Sequence, residues 1–238
     1  MVKLIQFLTD AKCPACEIRK PAPALCEVCR AFPVLEGPLC LGCYNPITQS
    51  GTLCGMCLKK TWAPLSRIRS AIWLNEPLKN LIHGIKYEMR YRRLDLFRSV
   101  LPESSPFSDT GALIPVPLSP GRMKQRAFNQ SEWIANQLGK RWGVRVIRNG
   151  LIKGKETEPQ STLSRKGRLK NLRSCFRWES KERPPDSVVL VDDVFTSGAT
   201  LIECGRALRK AGCRQIFGWT LLRTPRSSSR GAQRRGDP

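Results

Sequence analysis

The chain reads as an α/β protein: a mostly parallel sheet flanked by helices, preceded by a small zinc-ribbon-like cysteine domain. Three observations predict this. Eight of the eleven cysteines fall within the first 57 residues, all as C-x-x-C pairs. From Ala112 onward, short apolar runs alternate with segments of helical period, the pattern that builds parallel sheets from β–α–β units. The run VVLVD, Val188 to Asp192, is continuously apolar up to its acid, as in a strand buried on both faces.

Residues 1–60 have few long apolar runs, many prolines and glycines, and the pairs Cys13/Cys16, Cys26/Cys29, Cys40/Cys43 and Cys54/Cys57. Two thiolates two residues apart grip one tetrahedral ion from a tight turn, and two such pairs close a site with no open position. Eight sulfurs close two sites, so two structural Zn²⁺ ions are expected. Pairing neighbours leaves loops of nine and ten residues, which keeps closure cheap. Interleaving, first pair with third and second with fourth, stays open. Cys175, Cys204 and Cys213 stand alone and are expected to be small buried hydrophobes.

Residues 61–224 form the larger expected domain, with Thr61 to Ser66 as the join. In NEPLKNLIHGIKYEMRYRRLDLF, Asn75 offers a cap and Pro77 sits in the first turn. Leu78, Leu81, Ile82, Ile85 and Met89 then share one helical face. ALIPVP (112–117) is a short buried strand stopped by prolines, and SPGRMKQR reads as a basic loop. FNQSEWIANQLGKRWG is a helix with Ile134, Leu138 and Trp142 in register, ending at Gly143. VRVI (144–147) reads as strand, and residues 153–173 as a mobile polar loop leading into a helix. After Asp193 comes a glycine-containing turn, then a helix with Leu201, Cys204 and Leu208 inward and Gly212 at its end, then the strand QIFGWTLL. Residues 225–238 read as a disordered basic tail.

The balance of 41 Lys and Arg against 19 Asp and Glu, a net +22 over 238 residues, favours polyanionic partners: nucleic acid or phosphorylated ligands. No stretch is long and apolar enough to span a bilayer. VKLIQFL at the start is too short for a signal-peptide core. A cytoplasmic protein without membrane contact is expected. Such a compartment disfavours disulfides and agrees with the metal reading of the cysteines.

VVLVDDVFTSGATL carries the chemistry. Paired acids follow a buried strand, small residues follow the acids, and a helix begins. Ligands of open α/β sheets bind at that strand end. The backbone N–H groups of Thr196, Ser197, Gly198, Ala199 and Thr200 lie where a helix N-terminus suits a phosphate dianion. Asp192 and Asp193 can accept hydrogen bonds from two ribose hydroxyls.

This segment resembles the signature of type I phosphoribosyltransferases. A second stretch, ALIPVPLSPGRMKQRAFNQSEWIA, looks like the ComF family of competence and amidophosphoribosyltransferase-like proteins. The family's R-G-F-N-Q appears as Arg126-Ala127-Phe128-Asn129-Gln130. Gln160, Leu163, Arg168 and Asn171 resemble a further family pattern, as does Ile85-Lys86-Tyr87. With the cysteine pairs, the resemblance covers nearly the whole chain to about residue 224.

The resemblance implies a type I phosphoribosyltransferase-like fold and a site for phosphoribosyl pyrophosphate with Mg²⁺, to which Lys86 and Arg126 contribute. It also implies a role in DNA uptake on single-stranded DNA, with a helicase partner. Ala127 departs from the family glycine; if that glycine serves an unusual backbone angle, alanine there is strained by roughly 1 kcal/mol. The alternative function is a phosphoribosyltransferase acting on a small nucleobase or amine. No catalytic residue is legible: Thr196 occupies the position where purine-salvage members carry an aspartate base, and His83 falls on a helix among apolar residues. A structural or surface role is the expectation for that histidine.

Overall fold

A computed structural model describes residues 13, 15, 26, 29, 31–88, 90–154, 167 and 172–225. Cys16, Met89, Gln160, Leu163, Arg168, Asn171, most of the 153–173 loop and the basic tail beyond residue 225 lie outside the described residues.

Four parallel strands make the main sheet: β1 (Arg67–Trp73), β2 (Ala112–Pro115), β5 (Ser187–Phe195) and β6 (Gln215–Arg223), in the order β1-β6-β5-β2. Its helices are α1 (Gly55–Leu58), α2 (Glu76–Tyr87), α3 (Pro120–Arg126), α4 (Gln130–Trp142) and α5 (Ala199–Lys210). A 3-10 helix spans Tyr91–Val100, and β3 (Leu151–Lys153) pairs antiparallel with β4 (Phe176–Trp178). The expected mostly parallel α/β sheet is present.

The alternation of β5 and β6 sorts the core. Val189, Val191, Phe217 and Trp219 meet Leu78, Leu81, Ile85, Phe97, Ile134 and Leu138 from α2, the 3-10 helix and α4 on one face. Val188, Leu190 and Ile216 meet Leu201, Ile202, Cys204 and Leu208 from α5 on the other. Cys175, Cys204 and Cys213 are buried there, as expected of small hydrophobes.

Helix ends follow their sequence signals. Asn75 Oδ1 accepts from the Leu78 N–H at 3.1 Å, and Gly143 closes α4 at φ +65°. Ala127 closes α3 at φ +59°, the left-handed angle that glycine adopts without strain.

Arg67–Trp73, a stretch to which the sequence pattern assigned no element, is the edge strand β1. Four expectations need correction. The basic loop SPGRMKQR folds as the short helix α3, because Ser119 is extended ahead of it and Pro120 supplies its first turn. VRVI contributes one parallel bridge, Val146 to Leu113, rather than a strand. The strand carrying the acids does not stop at Asp192: Val194 and Phe195 still pair with Leu222 and Arg223 of β6. The helix begun at Glu76 also ends at Tyr87 instead of running on through the basic stretch.

The cysteine segment covers the open edge of β1. Val34 bridges Ile72, the Trp73 N–H donates to Pro33 O at 2.8 Å, and the Ile68 N–H donates to Gly42 O at 2.8 Å. An edge strand is thereby kept from pairing with another chain. Among the described residues no helix is long and apolar enough to cross a membrane.

Candidate functional site

A cleft of about 370 Å³ opens at the carboxyl ends of the strands. Its floor is Leu74 after β1, Val116 to Ser119 after β2, and Asp192 to Val194 in β5; α2, α3 and α4 supply its walls. This is where open α/β sheets hold ligands.

The acids sit in different settings. Asp193 is nearly buried and pairs with Lys86 Nζ at 2.6 Å across the cleft from the last turn of α2. Asp192 Oδ1 accepts from Ser131 Oγ at 3.0 Å and from the Asp193 N–H at 2.9 Å. Loss of water around Asp192, and then the neighbouring Asp193 carboxylate, push its carboxyl up to about 7, against the pull of Lys86 and the two hydrogen bonds. Ser131 is placed by Asn129, whose Oδ1 caps α4 while its Nδ2 donates to Val116 O at 2.9 Å. One asparagine thus ties the loop after β2 to the helix that holds Asp192.

Arg126 is 6% exposed. Its Nη2 donates to Tyr87 Oη at 3.3 Å, its guanidinium lies 5.1 Å from the Tyr87 ring centre, and among the described residues it has no carboxylate partner. Its Nε has no hydrogen-bond partner, and neither does Nε2 of the buried Gln130 beside it in the cleft. Buried polar groups without partners are costly, so two of them lining one cleft mark a place for an anion.

Thr196 and Thr200 line the cleft. Ser197, Gly198 and Ala199 form the turn behind them: Ser197 Oγ accepts from the Ala199 N–H at 3.4 Å, and Gly198 caps α5 at φ +77°. A Cβ at Gly198 meets Trp62 Cζ3 at 2.7 Å, so the turn rests on an indole. Arg122 lines the cleft, while Lys124 is exposed outside it. His83 stands at the mouth, its side chain 66% exposed and 4.0 Å from Glu88, in keeping with a surface histidine.

The sequence missed Ser131, Tyr87 as the partner of Arg126, Lys153 and Trp62. Ser131 had a signal, because it directly follows Asn129 and Gln130. Trp62 had none, because its contact with Gly198 spans most of the chain.

The cysteines gather by neighbouring pairs. Sγ atoms of Cys40, Cys43, Cys54 and Cys57 lie within 4.8 Å of one another, and so do those of Cys13, Cys26 and Cys29. This excludes the interleaved arrangement for the described sulfurs. Cys40 to Cys57 is 3.6 Å and Cys43 to Cys54 is 3.7 Å. A tetrahedron of sulfurs about 2.3 Å from its centre has edges of about 3.8 Å, so the four fit a closed metal site. Burial raises the Cys40 thiol, yet N–H donors from Cys54, Cys43 and Gly42 and the Cys57 side chain outweigh it and bring the group down to about 7. A Cβ on Gly42 meets Cys57 Sγ at 2.6 Å, so only glycine lets the two knuckles close. Each cluster can hold a metal ion.

No protein-family model matches the chain. Competence protein F of Haemophilus influenzae is 32% identical over 210 residues, covering 84% of this chain and 90% of that one. DNA utilization protein YhgH of Escherichia coli is 32% identical over 207 residues with the same coverage. Competence protein ComFC of Bacillus subtilis is 28% identical over 236 residues, 92% of each chain.

Proposed function

This chain belongs to the ComF family, and on that premise we propose that it is a cytosolic DNA-uptake factor that binds phosphoribosyl pyrophosphate in the strand-end cleft. The observation that carries the ligand is Arg126, a buried cation whose Nε has no partner, in the same cleft as Asp192 and Asp193. In this reading the acids accept from the ribose hydroxyls and the turn from Thr196 to Thr200 takes the 5-phosphate. Arg126 takes the pyrophosphate, which arrives with Mg²⁺, and Lys86 exchanges its bond to Asp193 for a ligand oxygen. Zinc is the expected occupant of both cysteine clusters: the four thiolates of Cys40, Cys43, Cys54 and Cys57 match its tetrahedron and leave no coordination position for chemistry, and Cys13, Cys26 and Cys29 gather in the same way. The DNA role rests on the names of the relatives and on a net charge of +22.

Titration calorimetry of phosphoribosyl pyrophosphate with Mg²⁺, and of ribose 5-phosphate, tests the ligand. Arg126→Ala weakens the first and spares the second. Asp193→Asn weakens both, since each charge-assisted hydrogen bond lost costs roughly 1.5–3 kcal/mol. Wild-type protein that binds neither at millimolar concentration refutes the assignment.

A further inference from the structure

A second cavity lies apart from the strand-end cleft. It is a groove of about 930 Å³, on the scale of small-molecule sites, on the sheet face that α5 covers. β4 and the turn before it form one wall and α5 forms the other.

Each wall brings two cations: Arg173 and Arg177 on the first, Arg206 and Lys210 on the second. Among the described residues one acid lines the groove, Glu203, and it is already committed. It is 4% exposed, accepts from the Ser174 N–H at 3.3 Å and pairs with Arg206. Arg177 pairs with Glu179. Arg173 and Lys210 are exposed and in no ion pair among the described residues. Ser174 stands at φ +57°, and its bond to Glu203 ties the Arg173 turn to α5. Positive charge thus faces positive charge across the groove, with too little acid between.

Apart from Ser174, the remaining lining is apolar: Phe176, Trp178, Ala207 and Ala211. Trp178 is held in one orientation. Its Nε1 donates to Glu182 O at 2.8 Å, and a Cβ at Gly150 would collide with its Cη2. A fixed aromatic wall beside facing cations suits a ligand with a flat apolar end and a densely anionic end. Arg206 and Lys210 are about 6 Å apart along the helix, comparable with a triphosphate chain. The stripe from Glu203 to Ala211 is about 12 Å long, enough for one nucleotide and too short to track a strand. Phe176 also lines the strand-end cleft, but none of the four cations does. The two cavities therefore share a wall and can be perturbed separately.

We propose that the groove between β4 and α5 is a second ligand site, for a nucleoside polyphosphate, with the base on Trp178 and the phosphates between Arg173, Arg206 and Lys210.

Titration calorimetry of the full chain with ATP and Mg²⁺, and with tripolyphosphate, tests it. ATP is expected to bind about tenfold tighter than tripolyphosphate, the gain from one stacked base. The double variant Arg173→Ala, Lys210→Ala weakens both about tenfold, through two exposed charge contacts. Trp178→Leu brings ATP down to the affinity of tripolyphosphate and leaves the latter unchanged, which a misfolded groove would not. Trp178→Phe keeps most of the preference. Asp193→Asn, in the cleft, leaves ATP binding as it was. ATP bound as in wild type by the double variant or by Trp178→Leu overturns the site, and so does tripolyphosphate bound as tightly as ATP. Loss of ATP in Asp193→Asn places the nucleotide in the cleft, and displacement of ATP by oligo-dT gives the groove to nucleic acid; each overturns the proposal. Wild type that binds no ATP at millimolar concentration overturns it too, whatever the cleft binds.

Discussion

Gly198 shows how narrowly the turn before α5 is built. It caps the helix at φ +77°, and a Cβ there stands 2.7 Å from Trp62 Cζ3 and 3.2 Å from Phe195 Cε2. Gly198→Ala therefore meets two separate costs. The left-handed angle costs an L-residue about 1–2 kcal/mol. The contact costs about 1–3 kcal/mol, because Trp62 is 4% exposed and packs edge-on to Phe195 at 5.2 Å, with nowhere to retreat. The expected loss is about 2–5 kcal/mol, a fall in Tm of roughly 6–15 °C for a chain of this size. Thermal unfolding followed by circular dichroism, with metal present throughout, measures it. Trp62→Phe separates the two parts: it frees room for the methyl group but leaves the angle. In the double-mutant cycle, the Gly198→Ala penalty on the phenylalanine background should shrink to the angular part. An unchanged Tm in Gly198→Ala refutes the strained turn; an additive cycle refutes the indole as its floor.

Ala127 sits exposed at φ +59°, so Ala127→Gly is expected to stabilise the chain by up to about 1 kcal/mol, read from the same melting curves. Asp192 carries a carboxyl raised from 3.8 to about 7, so the folded state holds its proton more tightly than the unfolded one and stability is lost as pH rises through that window. Denaturant titrations should accordingly show Asp192→Asn gaining on wild type from about pH 4 to 7 and levelling off above; a pH-independent difference across that window counts against the raised carboxyl. Elemental analysis should find two zinc ions per chain, and Cys40→Ser should destabilise far more than Cys213→Ser, because it opens a closed metal site.

Local and periodic features were the legible ones. The Asn75 cap, the Gly143 cap, the inward face of α2 and the buried runs of β5 and β6 all announce themselves within a dozen residues. The cysteine spacing announced neighbouring knuckles for the same reason. What stayed hidden depends on partners distant in sequence. β1 reads RIRSAIW, hardly a strand by pattern, because Arg69 is buried only by donating to Leu41 O at 2.9 Å and covering Tyr44. Ser70 is likewise satisfied only by Thr220 of β6, at 2.8 Å. The acids looked like the end of β5, yet the strand continues because β6 supplies hydrogen bonds beyond them. In the site, the paired acids and Arg126 stood out in the sequence as motif residues, whereas the Lys86–Asp193 pair and the Ser131 hydrogen bond are products of the fold.

The second cysteine cluster and the turn before α5 share one run of contacts. Arg223, at the end of β6, reaches Cys43 Sγ at 4.0 Å and lies 4.6 Å from the Phe195 ring centre. Phe195 ends β5 against Trp62, and Trp62 underlies Gly198. Trp62 follows Cys57 by five residues, so its position depends on how the knuckle closes. A metal held by Cys40, Cys43, Cys54 and Cys57 would therefore do more than hold the N-terminal segment against β1. It would fix the indole on which the Gly198 turn is seated, and that turn leads into α5 beside the cleft lined by Asp192, Asp193 and Arg126.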